Sequence, residues 1–196
     1  MIITVANFKG GVGKTTTAIH IAGYLSGKDK TLLVDGDQNR SSLEWSEAGN
    51  FDFEVTVPKK LESVAKDFKY IVIDTEARPK KTDLELLSKI SDLLILPTTP
   101  DAMSLKATVK TVAEMKNLNA RDYKILITMT PPPPSHDGAD AVKFLRSNGL
   151  PVFKTQIRRY TAYRKASLSG LLVSEVSNPY ARIAWSDYQK LGKEIL

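Results

Sequence analysis

The 196-residue chain contains no cysteine, which excludes disulfides, a thiolate zinc site, an iron–sulfur cluster and a cysteine nucleophile. With 42% hydrophobic and 26% charged residues it has the balance of a globular chain able to bury a core, and its length predicts a single domain over 1–196. No apolar run approaches the roughly eighteen residues of a spanning helix. No secretory leader precedes the first apolar run, so a cytoplasmic location is the expectation.

The formal net charge of +6 is unevenly spread. Residues 151–196 carry 8 Lys+Arg against 3 Asp+Glu (8 − 3 = +5), leaving 20 against 19 (+1) in residues 1–150. Such a skew points to an anionic partner, nucleic acid or acidic lipid. A solvated basic face fits the same residues.

In chain order, an apolar run from Ile2 to Ala6 leads into Lys9-Gly10-Gly11-Val12-Gly13-Lys14-Thr15-Thr16, and the helix-like stretch from Thr17 to Ala22 follows. Strand, glycine loop and helix are the context of a phosphate-binding loop. The glycines let backbone N–H groups turn inward, and the helix adds its positive N-terminal end. In that reading Lys14 reaches the β- and γ-phosphates of a bound nucleotide and Thr15 ligates Mg²⁺. The common spacing would require glycine where Phe8 stands, and a second lysine, Lys9, precedes the double glycine. Lys14 already occupies the in-chain place, so Lys9 is expected to reach a nucleotide held by a second subunit, making the protein a nucleotide-gated dimer.

Short apolar segments then alternate with helical patterns: strands are predicted at 31–34, 70–73, 93–96, 124–128 and 151–153, with helices clearest at 83–90 and 104–118. That order implies a three-layer α/β fold with a mostly parallel sheet, helices on both faces and ligands at the carboxyl ends of the strands. Residues 131–134, four prolines, read as a stiff loop near the nucleotide base or as a polyproline II recognition segment. A last helix is expected from about 179 to 195, with Ala184, Tyr188, Leu191 and Ile195 on one buried stripe. Two predicted strands end in aspartate, at Asp35 (followed by Gly36-Asp37) and at Asp74. Such carboxylates hold Mg²⁺ in phosphate-loop sites; strand-end aspartates also cap helices and form turns. Asp35 and Asp37 lie two apart, so in an extended segment they point the same way.

These stretches resemble the deviant Walker-box ATPases of the ParA/MinD family, in its small ParA (ParF-like or McdA-like) branch. The resemblance rests on Lys9 to Thr16, Val34-Asp35-Gly36-Asp37, Tyr70 to Thr75, Asp37 to Ser41 followed by Trp45-Ser46, Ser91 to Pro97, and Gln156 through Gly170. It implies a P-loop NTPase fold and a partner-stimulated ATPase that forms a homodimer on ATP. The family binds nonspecific nucleoid DNA, or membrane in the MinD branch, and positions or partitions a cargo (plasmid, chromosome or carboxysome) with a small adaptor protein, ParB-like or McdB-like.

By the same resemblance Lys9, Lys14 and Asp37 are catalytic, Asp37 by positioning water. The loop Lys9, Gly10, Gly11, Val12, Gly13, Lys14, Thr15 and Thr16 binds ATP, and Thr15, Asp35 and Asp74 form the Mg²⁺ shell. Arg158, Arg159, Arg164, Lys165, Arg182 and Lys190 are the candidate DNA contacts. The chain departs from the pattern at Gln38-Asn39, where Pro-Gln is usual, and at Glu76-Ala77-Arg78, where a proline follows Thr75 in the family. Thr128 or Thr130 stands where an asparagine is common on the base side. With the first strand at residue 2, no operator-binding domain is expected before it. The end lacks the basic tail of MinD, so DNA is the expected surface and membrane is not.

Overall fold

The computed structural model describes residues 1–7, 9–77, 81–116 and 122–196. Phe8, Arg78 and Leu118, all part of the expectations above, lie outside them. The strands are β1 (Ile2–Val5), β2 (Thr31–Gly36), β3 (Glu54–Thr56), β4 (Tyr70–Thr75), β5 (Leu93–Thr98) and β6 (Tyr123–Ile127). They form one sheet in the order β3-β2-β4-β1-β5-β6, every neighbouring pair parallel. Helices α1 (Lys14–Ser26), α2 (Ser41–Glu47), α3 (Leu61–Val64), α4 (Lys81–Ile90), α5 (Ala102–Lys116), α6 (Asp137–Ser147), α7 (Thr161–Ser169) and α8 (Ala181–Ile195) cover both faces.

Strand side chains alternate between the faces. Ile3, Val5, Leu33, Val72, Ile95 and Leu126 pack with α1, α2, α7 and α8. The intervening residues face the other way: Leu94, Leu96, Ile125 and Ile127 meet α5 and α6, while Leu32, Val34, Ile71 and Ile73 lie under α3 and α4. Burial on both sides is why these strands are continuous apolar runs and legible in sequence. The α1 helix is enclosed too: Thr17, Ala18, Ile19, His20, Ile21 and Ala22 are all buried. On α8 the stripe Ala184, Tyr188 and Leu191 is buried in the same core, with Ile195 packed against it. This helix is therefore docked, and its apolar stripe is spent on the core.

Two strand expectations need correction. Residues 151–153 make only an isolated parallel bridge, Ile125 to Val152. Pro151 has no N–H to donate; the Phe153 N–H reaches the Ile125 carbonyl at 3.0 Å, but the amides beyond it, Lys154 and Thr155, donate to the Glu194 carboxylate of α8 at 2.8 and 3.0 Å instead of continuing the ladder. Conversely β3 was not anticipated. Three residues with one apolar side chain carry too weak an alternation to read, and only pairing with β2 makes them a strand.

Candidate functional site

The glycine loop leaves β1 in the middle of the sheet, with β4 on one side and β5 on the other. Gly11 and Gly13 have φ of +74° and +85°, left-handed values that side chains other than glycine adopt only with strain. Gly13 caps α1, so Lys14, Thr15 and Thr16 form its first turn, with backbone N–H groups that lack helical partners. Two side chains brace the loop. The buried Asn7 side chain donates to the Pro97 carbonyl and accepts the Lys9 N–H at 2.8 Å, and the Thr128 hydroxyl donates to the Val12 carbonyl at 2.8 Å. Asn7 sits between the strand and the first lysine, with nothing in the sequence to mark it.

Lys14 is 7% exposed. Burial lowers its pKa, and the negative charges of Asp74 and then Asp37 oppose that effect. Asp35 and Asp74 are register partners on adjacent strands, and their positions in the alternation put them on the α1 face. Asp74 is fully buried, and desolvation raises its pKa to about 6 against the opposing pull of Thr15 and Ser42. Oδ2 accepts the Ser42 hydroxyl at 2.8 Å. Oδ1 has no hydrogen-bond partner and is the only buried side-chain oxygen or nitrogen among the described residues in that condition. A buried carboxylate oxygen left open beside the Thr15 hydroxyl suits a hard cation. Among the described residues no group of three His, Cys, Asp or Glu could hold a metal. The open Asp74 oxygen and the Thr15 hydroxyl fit Mg²⁺, which takes one or two protein oxygens and completes its shell with phosphate and water.

Asp35 differs from expectation. Its Oδ1 accepts the Asp37 N–H at 3.0 Å and its Oδ2 the Leu43 N–H at 2.8 Å. The strand ends at Gly36, so the alternation that would set Asp37 beside Asp35 stops there. Asp35 anchors the loop carrying Asp37 and the first turn of α2, while Asp37 Oδ1 is held by the Asn39 N–H at 2.9 Å.

Lys9 is engaged within its own chain. Its ammonium donates to the Ser104 hydroxyl and lies 3.8 Å from Asp101 Oδ2. Asp101 caps α5 by accepting the Ser104 N–H at 2.9 Å. The Ser104 and Thr99 hydroxyls hold its carboxyl well below the usual range. The spacing of Asp101 and Ser104 is that of a helix cap, a signal present in the sequence.

Behind Gly13 and Thr16 lies a cavity of about 280 Å³ lined by Met129, Arg158, Arg159, Tyr160 and Tyr163 among others. The Thr128 hydroxyl is committed to Val12 and the Thr130 hydroxyl faces the Ile157 carbonyl at 3.4 Å, so neither projects a free donor there. Prolines 131–134 lead from β6 to α6 and do not line this cavity.

The candidate DNA contacts divide. Arg159, Arg164, Lys165, Arg182 and Lys190 are exposed, the last four on α7 and α8. Arg158 is different: its guanidinium pairs with the buried Asp187 through contacts of 2.6 and 3.0 Å and lies 5.6 Å from the centre of the Tyr160 ring. It neutralises an interior charge rather than standing free on the surface.

Residues 3–173 match the profile of the CobQ/CobB/MinD/ParA nucleotide binding domain. The maintenance of carboxysome distribution protein A of Gloeobacter kilaueensis is 33% identical, covering 99% of this chain and 93% of that protein. Among solved structures, the chain is similar to apo McdA of Cyanothece (TM-score 0.82, 16% identity, 100% of this chain and 99% of that one). It is also similar to a McdA variant from Cyanothece in complex with ATP (TM-score 0.79, 16% identity, 99% and 95%). The chain thus belongs to the CobQ/CobB/MinD/ParA family of nucleotide-binding domains.

Proposed function

We propose that this chain is a ParA-type ATPase that hydrolyses Mg²⁺-bound ATP, dimerises on the nucleotide and positions or partitions an intracellular cargo over nonspecific DNA. The observation that carries the chemistry is the open Oδ1 of Asp74, buried beside the first turn of α1 and near the ammonium of Lys14. Phosphate oxygens are held by the N–H groups of the loop and by Lys14, with Thr15 and Asp74 holding Mg²⁺. When bound, the ion neutralises charge developing on the phosphates. Asp37 orients the attacking water from a loop that Asp35 and Asn39 keep in place. The cavity behind Gly13 accommodates the nucleoside.

Lys9 belongs to a second step. Bound to Ser104 it serves no phosphate; released, it reaches across a face-to-face homodimer to the partner's ATP. The basic face of α7 and α8, with Arg159, takes DNA phosphates without reading sequence. A small adaptor protein stimulates hydrolysis, and the carboxysome-distribution relative supports a protein-body cargo beside plasmid or chromosome.

The test is phosphate release per subunit with Mg²⁺ across a wide dilution series. Turnover is expected to fall on dilution and to be lost in both Lys14→Ala and Lys9→Ala, with Lys9→Ala still binding ATP. Equal turnover at all dilutions, with Lys9→Ala harmless, would overturn the dimer.

A further inference from the structure

Ser42 belongs to none of the motifs that assign the phosphate site. It is the second residue of α2 and is fully buried. A serine hydroxyl carries one proton, and here it goes to Asp74 Oδ2 at 2.8 Å. The bond decides which carboxylate oxygen is spent and which, Oδ1, stays open.

The helix that carries Ser42 is itself fixed at both ends. One residue on, the Leu43 N–H donates to Asp35 Oδ2 at 2.8 Å, and Asp35 is the register partner of Asp74. Further along, the Trp45 indole donates to the Leu171 carbonyl at 3.1 Å. Just beyond α2, Gly49 lies so close to Gly170 that an added Cβ would stand 1.6 Å from its carbonyl oxygen. The hydroxyl therefore stays where α2 holds it.

We propose that Ser42 is a positioning residue for Mg²⁺, pinning Oδ2 of Asp74 so that Oδ1 alone is presented to the ion beside Thr15. This rests on the reading that Mg²⁺ and ATP occupy the site. Without the bond the buried carboxylate rotates and loses a partner that favours its charged form, and the ion binds less tightly. The phosphate contacts of the loop and Lys14 involve no atom of Ser42, so nucleotide binding without the ion is untouched.

The test uses a fluorescent ATP analogue on the full chain, titrated with MgCl₂, beside a parallel binding curve in EDTA. In Ser42→Ala the Mg²⁺ concentration for half-saturation is expected to rise about tenfold, the effect of losing one hydrogen bond to a charged group. Affinity in EDTA is expected to stay within about twofold of wild type. Ser42→Cys, close in size but a weak donor, serves if the alanine variant does not fold, and is expected to fall between wild type and alanine. Unchanged half-saturation in whichever variant folds, or an equal loss of affinity in EDTA, would overturn the positioning role. A wild-type protein whose nucleotide binding ignores Mg²⁺ would instead overturn the reading on which it rests.

Discussion

Asp74 carries the conflict between stability and function at the level of single residues. Its ordinary pKa of 3.8 is raised to about 6 in the fold. The folded chain therefore binds the proton more tightly than the unfolded one, and apo stability falls as pH rises from about 3.8 to about 6. At neutral pH the buried charge costs about 3 kcal/mol without its cation. Asp74→Asn is expected to raise the urea midpoint of the apo protein at pH 7 while abolishing the Mg²⁺ dependence of ATP binding. A lower midpoint would show that the carboxylate stabilises the apo fold. Asp74 was legible in sequence as an acid ending an apolar strand. Its partner Ser42 was not, because the bond spans 32 residues that only the pairing of β2 with β4 brings together.

Among the elements, α1 connects the phosphate loop to the rest of the core. Its His20 is fully buried, with Nδ1 2.7 Å from the Thr16 carbonyl and Nε2 accepting the Val173 N–H at 3.0 Å. Its ring stacks on Tyr188 at 4.7 Å. Burial depresses its pKa from 6.5 to about 4, so the neutral form is the folded one. The stability it contributes is present above pH 6.5 and is lost as pH falls toward 4, by about 3 kcal/mol. Asp74 titrates in an overlapping window with the opposite sign, so the informative quantity is a difference. The gap in urea midpoint between wild type and His20→Gln is expected to shrink steadily from pH 7 to 4.5. A constant gap would mean that His20 does not take up the proton preferentially in the unfolded chain. Helix α1 was readable from its glycine loop, but His20 gave no sign of its role: in sequence it is one polar residue in an apolar helix.

For the whole molecule, the positive charge lies mostly in the last quarter of the chain, and the fold sorts it into two uses. Arg158 is drawn inward by Asp187 on α8, while Arg159, Arg164, Lys165, Arg182 and Lys190 remain in solvent. Arg158→Ala is expected to destabilise the chain by about 3 kcal/mol, since it leaves a buried carboxylate unpaired. Replacing Arg164, Arg182 and Lys190 with alanine should leave thermal stability nearly unchanged. It should reduce the slope of log affinity for duplex DNA against log salt by about 3, roughly 0.9 per lost phosphate contact. The same slope in the triple variant would remove α7 and α8 from the DNA surface. Counted in sequence, all six basic residues look alike, because the pairing with Asp187 joins positions 29 apart through the packing of α8.

The sequence by itself determined the fold class, five of the six strands among the described residues and the phosphate loop. Those signals are local: apolar runs buried on both faces, glycines at positive φ, and a lysine and threonine fixed by the first turn of a helix. Tertiary structure decided which carboxylate keeps an open oxygen, which arginine is spent inside, and where Lys9 rests. It also decided that Pro151 to Phe153 forms only a bridge, because Glu194 from α8 takes the Lys154 and Thr155 amides just beyond it, before the ladder can continue. Each of these outcomes depends on polar atoms competing for partners far away in the chain, and such a competition is settled only once the sheet and its helices have brought the competitors together.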